Sequence, residues 1–214
     1  MPTLSRRFLL TGASATAAAW GLAGCATDST TGSSTSLASG WHMAKPGNYP
    51  PSYRREEVRY LTQEPPGTII IDPTKHYLYL VEPGERAWRY GIGVGGEGYG
   101  WSGVAKVETK QEWPDWYPTK DILARQPQLS ARLTKLRGGE GVPGGPENPL
   151  GARALYLWQN NKDTLYRIHG TNEPWSIGQN VSSGCIRMNN DDVIDLYSRT
   201  PVGTKVVVLP TRYG

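Results

Sequence analysis

From Gly67 to Val94 the chain repeats one device, a short run rich in Ile, Leu, Val and Tyr followed by a tight turn. Thr68-Ile69-Ile70-Ile71-Asp72 leads into Pro73-Thr74-Lys75, and His76-Tyr77-Leu78-Tyr79-Leu80-Val81 leads towards Pro83-Gly84. Arg86-Ala87-Trp88-Arg89-Tyr90-Gly91-Ile92-Gly93-Val94 then begins a third run. Runs this short do not hold as helices, whereas β-branched and aromatic side chains fit a pleated, half-buried surface. The pattern predicts a hairpin extended by a third strand. The same reading gives strands at Ala154–Trp158, Thr164–His169 and Lys205–Leu209, a short helix around Lys120–Arg125, and a helix over Asp191–Arg199 that Asn189 or Asn190 caps. With 26 Gly, 17 Pro and a single Phe, the composition favours turns and short strands over long helices. A chain of 214 residues holds one such domain and a tail, so a mainly β domain over residues 67–210 is expected.

Two stretches interrupt this pattern. Gly95-Gly96-Glu97-Gly98-Tyr99-Gly100 could pass for a phosphate cradle, but no helix start and no Gly-Lys-Ser/Thr follows it, and a phosphate loop needs N–H groups at a helix N-terminus. Between Glu112 and Leu150 lie Trp113-Pro114-Asp115-Trp116 and a Gly/Pro-rich run from Gly138 to Pro149. An excursion of that length within one domain predicts a lid-like loop over a substrate.

The first residues read as an address. Ser5-Arg6-Arg7-Phe8 precedes an uncharged run from Thr11 to Gly24, the pattern of a twin-arginine export signal over residues 1–24. Leu22-Ala23-Gly24-Cys25 resembles a bacterial lipobox, which makes Cys25 the lipidated first residue of the mature chain; the alternative is an ordinary signal peptide that contains a cysteine. Both place the protein outside the cytoplasm. Residues 26–40 are nearly all Ser, Thr, Gly and Ala and form a flexible tether, continued by a leader to residue 66 whose role is undecided. No apolar run reaches the ~18 residues of a membrane span, so the mature protein is expected to be anchored or soluble, not spanning. Removal of Arg6 and Arg7 takes the net charge from +4 to +2, too mild to indicate nucleic acid. Ala26 lacks the acidic character that retains lipoproteins in the inner membrane, which favours an outer-membrane anchor facing the periplasm.

If Cys25 is lipidated, Cys185 has no partner in a compartment where cysteines pair, and an unpaired exported thiol usually has a chemical task. His169 stands sixteen positions before it, delivered to a loop edge by a predicted strand. A thiol attacks as thiolate, and a neighbouring imidazole or cation lowers its pKa from about 8.5. Gly184 allows the sharp bend that aims amide N–H groups at an oxyanion, and Arg187 can bind a carboxylate bidentately while helping to hold Cys185 ionised. His42 lies in the leader beside the tether and His76 beside a turn, so neither suits the base. The bland alternative is a buried cysteine and an edge histidine. One His, one Cys and an adjacent Arg fall short of a zinc ligand set, so neither metal nor cofactor is expected.

His169-Gly170-Thr171 together with Val181-Ser182-Ser183-Gly184-Cys185-Ile186-Arg187-Met188 resembles the L,D-transpeptidase family, whose catalytic domain is called YkuD-like. Gly144–Gly151, Ile168–Pro174 and Pro201–Thr204 extend the resemblance to nearly all of Gly67–Leu209. It implies a β-sandwich with short helices. It implies Cys185 as the acylated nucleophile, His169 as its base, the Gly170 carbonyl as orienter of the imidazole, the amides of Gly184 and Cys185 as an oxyanion hole, and Ser183 and Arg187 as substrate contacts. Ser183 stands where many members carry a second histidine, and Gly100–Val104 replaces a Thr-Pro-x-Gly turn on the acceptor side. The implied reaction attacks the bond between diaminopimelate and D-Ala in a peptidoglycan stem. The thioester then passes to a stem amine, to a lysine of an outer-membrane lipoprotein, or to water as a carboxypeptidase. The rival readings are a non-catalytic wall-binding lipoprotein and a general thiol protease, although the protease's usual local signature around Cys and its His order are missing.

Overall fold

A computed structural model describes residues 49–96, 100–182 and 184–211; the export signal, Cys25, His42, the tether and Ser183 lie outside the described residues. Among the described residues twelve strands and two α-helices follow one another: β1 (Glu56–Arg59), β2 (Ile69–Asp72), β3 (Tyr77–Glu82), β4 (Arg86–Gly95), β5 (Gly103–Glu112), α1 (Lys120–Arg125), β6 (Thr134–Leu136), β7 (Gly139–Gly141), β8 (Arg153–Gln159), β9 (Lys162–His169), β10 (Asn180–Ser182), β11 (Ile186–Met188), α2 (Asn190–Arg199) and β12 (Lys205–Val208). The domain is mainly β, as the sequence predicts. β2, β3 and β4 form the expected antiparallel run, with Ile70 opposite Tyr79 and Tyr79 opposite Arg89.

The layers of the expected sandwich are walls of one sheet. Its order runs β4-β11-β9-β8-β5-β12-β2-β3, and β3 pairs back onto β4, so the sheet closes on itself. Alternation along the strands sends Ile69, Ile71, Leu78, Leu80, Ile92, Leu155, Leu157, Ile168 and Val206 into one interior, where Val193 and Leu196 of α2 join them. Each such side chain stabilises the fold by roughly 1.5–3 kcal/mol. Tyr90, also fully buried, satisfies its hydroxyl by donating to Asp195 Oδ2 at 2.7 Å.

Residues of opposite parity point outwards, and the leader covers part of them. Ile70, Tyr79, Val81 and Ala87 pack with Val58 and Tyr60, and the Tyr60 ring stacks on Tyr79 with centroids 4.3 Å apart. β1 pairs antiparallel with β4, flanked by the ion pairs Arg86–Glu57 and Arg89–Glu56, both 2.7 Å. Tyr53 sits where Gly91 and Gly178 leave room, since a Cβ on either glycine would overlap it. The folded unit therefore begins ahead of Gly67. The leader was unreadable because β1 is Glu-Glu-Val-Arg, with one apolar residue to reveal its face.

The excursion after β5 is an internally tied body. Thr119 caps α1 by accepting from the Ile122 amide at 3.3 Å, β6 and β7 form a hairpin, and Trp116 and Val142 exchange backbone hydrogen bonds of 2.9 and 2.8 Å. Asn148 is fully buried; its Nδ2 is shared among the carbonyls of Pro114, Val142 and Pro143, and its Oδ1 accepts from Leu150 N at 2.8 Å. One expectation fails locally. Asn189 stands at the N-cap of α2 but its side-chain oxygen caps no amide of the first turn; its Nδ2 donates to Tyr49 Oη at 3.2 Å. Asp191 and Asp192 in the first turn supply the negative charge that a helix N-terminus favours.

Candidate active site

β9 and β11 run parallel, with Ile186 opposite Ile168 and Arg187 opposite His169. Ile168 and Ile186 point into the core, so period-two alternation turns His169, Arg187 and Cys185 towards the other face. Cys185 and His169 are thereby diagonal neighbours on adjacent strands, roughly 8 Å apart between Cα atoms from the strand spacing and rise. Sixteen residues of sequence separation are closed by a loop that holds the 3-10 turn Pro174–Ser176 and the short β10, which pairs with β4.

The approach to Cys185 is shaped by Ser182 and Gly184. Ser182 Oγ donates to the Cys185 carbonyl at 2.6 Å and accepts from Gly184 N at 3.2 Å, and Gly184 has φ 120°, a conformation few other residues adopt. The Gly184 amide, expected in an oxyanion hole, is thus engaged by Ser182. Cys185 Sγ lies 3.8 Å from the Leu165 carbonyl, and the Arg167 backbone N–H donates towards it. Leu165 sits at φ 64° in a bulge where β9 spends four steps, Asp163 to Arg167, against two on β8, Trp158 to Tyr156.

The expected low thiol pKa is not found. Burial pushes the Cys185 thiol up, outweighing the Arg167 N–H and the charges of Arg167 and Arg187, which lower it. His169 is buried, and burial first, then Arg187, brings its pKa down to about 3. Its Nδ1 lies 2.6 Å from the Gly170 carbonyl. A carbonyl can only accept, so Nδ1 carries the proton and Nε2 keeps a free lone pair. The pair is neutral thiol and neutral imidazole, with the base unprotonated at pH 7.

This has a consequence for stability. His169 has a folded pKa below its unfolded value of 6.5, so the unfolded chain binds the extra proton first, and the contribution present above pH 6.5 is lost as pH falls towards about 3. Asp192, raised to about 6 chiefly by burial, acts in the opposite sense between pH 4 and 6. Chemical denaturation of the wild type and His169→Gln across pH 7 to 3 isolates the histidine: the wild type is expected to lose more stability than the variant. Equal losses would show that folding does not lower the His169 pKa.

Arg187 Nη1 pairs with Glu173 Oε2 at 2.8 Å, while its Nε is buried without a partner. Both residues line a cleft of ≈ 270 Å³ that also receives Arg125 and Arg132 from the excursion, Val181 and Ser182 from β10, and the apolar Trp116 and Leu129. Cations outnumber the single carboxylate in this cleft, which suits it to an anionic group. His76 is occupied elsewhere, its Nε2 lying 2.7 Å from Asn180 Oδ1.

The profile of the L,D-transpeptidase catalytic domain (YkuD) matches residues 66–208, the part of the chain that carries the sheet apart from β1, the excursion and the Cys185–His169 pair. This chain belongs to the L,D-transpeptidase catalytic-domain family. It is 36% identical over 150 residues to the Escherichia coli (strain K12) protein "Probable L,D-transpeptidase ErfK/SrfK", covering 68% of this chain and 45% of that protein. The Salmonella typhimurium protein of the same description is 40% identical over 151 residues, covering 68% and 46%. The chain thus spans less than half the length of these curated relatives. A Brucella melitensis crystal structure described as "a Probable carnitine operon oxidoreductase caia" is 51% identical, covering 75% of this chain and 96% of that one, with a TM-score of 0.49.

Within this L,D-transpeptidase-family domain, sequence reading singled out Cys185, His169, Gly170 and Arg187, and the fold brings them together at the paired ends of β9 and β11. It missed Glu173, whose partner is fourteen residues away, and Asn190, which it weighed only as a helix cap. A carboxylate after the His-Gly-Thr segment was a usable signal for Glu173; Asn190 offered none beyond its residue type.

Proposed function

We propose that this domain is a peptidoglycan L,D-transpeptidase in which Cys185 is the nucleophile and His169 its base. The observation that carries the reading is a thiol and a neutral, Nδ1-protonated imidazole on one face of two paired strands, beside an arginine-lined cleft. Rotation of Cys185 from the Leu165 carbonyl towards His169 Nε2 precedes chemistry. Because the thiol is not ionised in advance, Nε2 takes its proton as sulfur bonds to the diaminopimelate carbonyl carbon. The resulting oxyanion is met by the Cys185 amide, joined by Gly184 when that amide leaves Ser182. The carbonyl re-forms, the C–N bond to D-Ala breaks, and the imidazolium returns its proton to the departing amine. An acceptor amine then attacks the thioester, gives its proton to Nε2, and restores the thiol.

The cleft supports a stem peptide as donor: Arg125, Arg132 and Arg187 answer its carboxylates. A stem amine as acceptor gives a 3-3 cross-link, a lysine of an outer-membrane lipoprotein gives an anchored protein, and water gives a tripeptide. The twin-arginine pattern, Cys25 and the Ser/Thr/Gly tether support an exported lipoprotein, periplasm-facing and held in the outer membrane, that reaches the wall from its anchor. Incubation with a disaccharide-tetrapeptide, with products separated by mass, tests the reaction. A dimer lacking one D-Ala is expected; tripeptide alone would replace transfer by hydrolysis, and untouched tetrapeptide with folded protein would contradict the proposal.

A further inference from the structure

Asn190 opens α2 and is 7% exposed. Its Oδ1 accepts two backbone hydrogen bonds, from Ala152 N at 2.9 Å and from Thr171 N at 3.2 Å. One oxygen thereby ties the residue before β8 to the residue two beyond His169, from a helix that begins five residues after Cys185. Room for it is made by two glycines, since a Cβ on either Gly151 or Gly170 would overlap Asn190 Oδ1. Gly151 also has φ 61°, where glycine alone is unstrained.

The Thr171 N–H and the Gly170 C=O belong to one planar peptide unit and point in opposite directions. On one side the N–H donates to Asn190; on the other the carbonyl accepts the His169 Nδ1 proton at 2.6 Å. Holding one end of a planar unit fixes the other. We propose that Asn190 is a positioning residue for His169: through the Gly170–Thr171 peptide it holds the imidazole in the Nδ1-protonated tautomer, leaving Nε2 free for the thiol. Without this acceptor the peptide can rotate, the carbonyl leaves Nδ1, and the ring loses both orientation and tautomer. The inference rests on His169 acting as the base of Cys185.

The test uses the full chain and needs no peptidoglycan: the rate of Cys185 alkylation by iodoacetamide against pH, for the wild type, Asn190→Ala, Asn190→Asp and His169→Gln, with thermal melts to establish folding. Asn190→Ser, whose shorter side chain cannot reach both amides, replaces the alanine variant if that one fails to fold. Asn190→Ala is expected to react about tenfold more slowly than wild type at neutral pH, approaching His169→Gln. The gap closes in alkaline buffer, where hydroxide ionises the thiol without a base, whereas a general loss of packing would persist at every pH. Asn190→Asp, which keeps an acceptor oxygen in place, stays near the wild type. A folded Asn190→Ala as fast as wild type, with His169→Gln slow, would overturn the inference and leave His169 as base. A His169→Gln as fast as wild type would overturn both.

Discussion

Cys185→Ala removes transfer activity by a factor on the order of 10⁴ or more, down to what binding alone supplies, without unfolding the domain. The sulfur is the one atom in the proposed sequence that forms and breaks a covalent bond to the substrate, and neither imidazole nor cleft replaces it. Stability is expected to stay within about 1 kcal/mol of the wild type, because the side chain is small and half-buried and its polar contacts are weak ones to sulfur, a 3.8 Å approach to the Leu165 carbonyl and the N–H of Arg167. Assay of D-Ala release beside a thermal melt checks both halves. Retained turnover would remove Cys185 from the chemistry, and loss of turnover together with folding would leave its role structural.

His169→Gln lowers turnover by about 10²–10⁴ at neutral pH, the range of a positioned general base. The effect is large because the thiol is held above its ordinary pKa by burial, so few molecules are ionised without help. For the same reason the variant regains rate as pH rises, while the wild type changes less. On the acid side the wild type keeps its base to well below the ordinary histidine range, since Arg187 and burial oppose protonation. A rate profile against pH for both proteins checks this; a wild-type acid limb centred near 6.5 would mean that His169 is solvated as the base.

Local patterns in the sequence reveal local structure here, and the features that close the molecule have no local pattern. β2, β3, β4, β12, α1 and α2 follow from runs of apolar residues with turns or caps beside them. β5 escapes a local reading because only Ala105 and Val107 face the core among charged neighbours, β6 because Thr-Lys-Leu is too short to show an alternation, and β7 because Gly-Glu-Gly has no apolar residue. The return of β3 onto β4 is a pairing, and nothing in either strand announces which second neighbour it has.

The site divides the same way. Cys185, His169 and Gly184 stand out because chemistry and backbone geometry demand those residue types. Their electrostatics do not: the sequence places Arg187 beside the thiol but not the burial that outweighs it, and so the expected pre-formed thiolate gives way to a neutral pair. Glu173 and Asn190 act through hydrogen bonds to elements distant in sequence, visible only once β9, β11 and α2 are packed.

The most direct test of the account is the intact mass of the protein during incubation with a tetrapeptide stem, with the modified peptide mapped. The account predicts a thioester on Cys185 carrying the stem without its terminal D-Ala, formed by the wild type and absent from Cys185→Ala. Release of D-Ala with no adduct on Cys185, or an adduct that persists in Cys185→Ala, would contradict it.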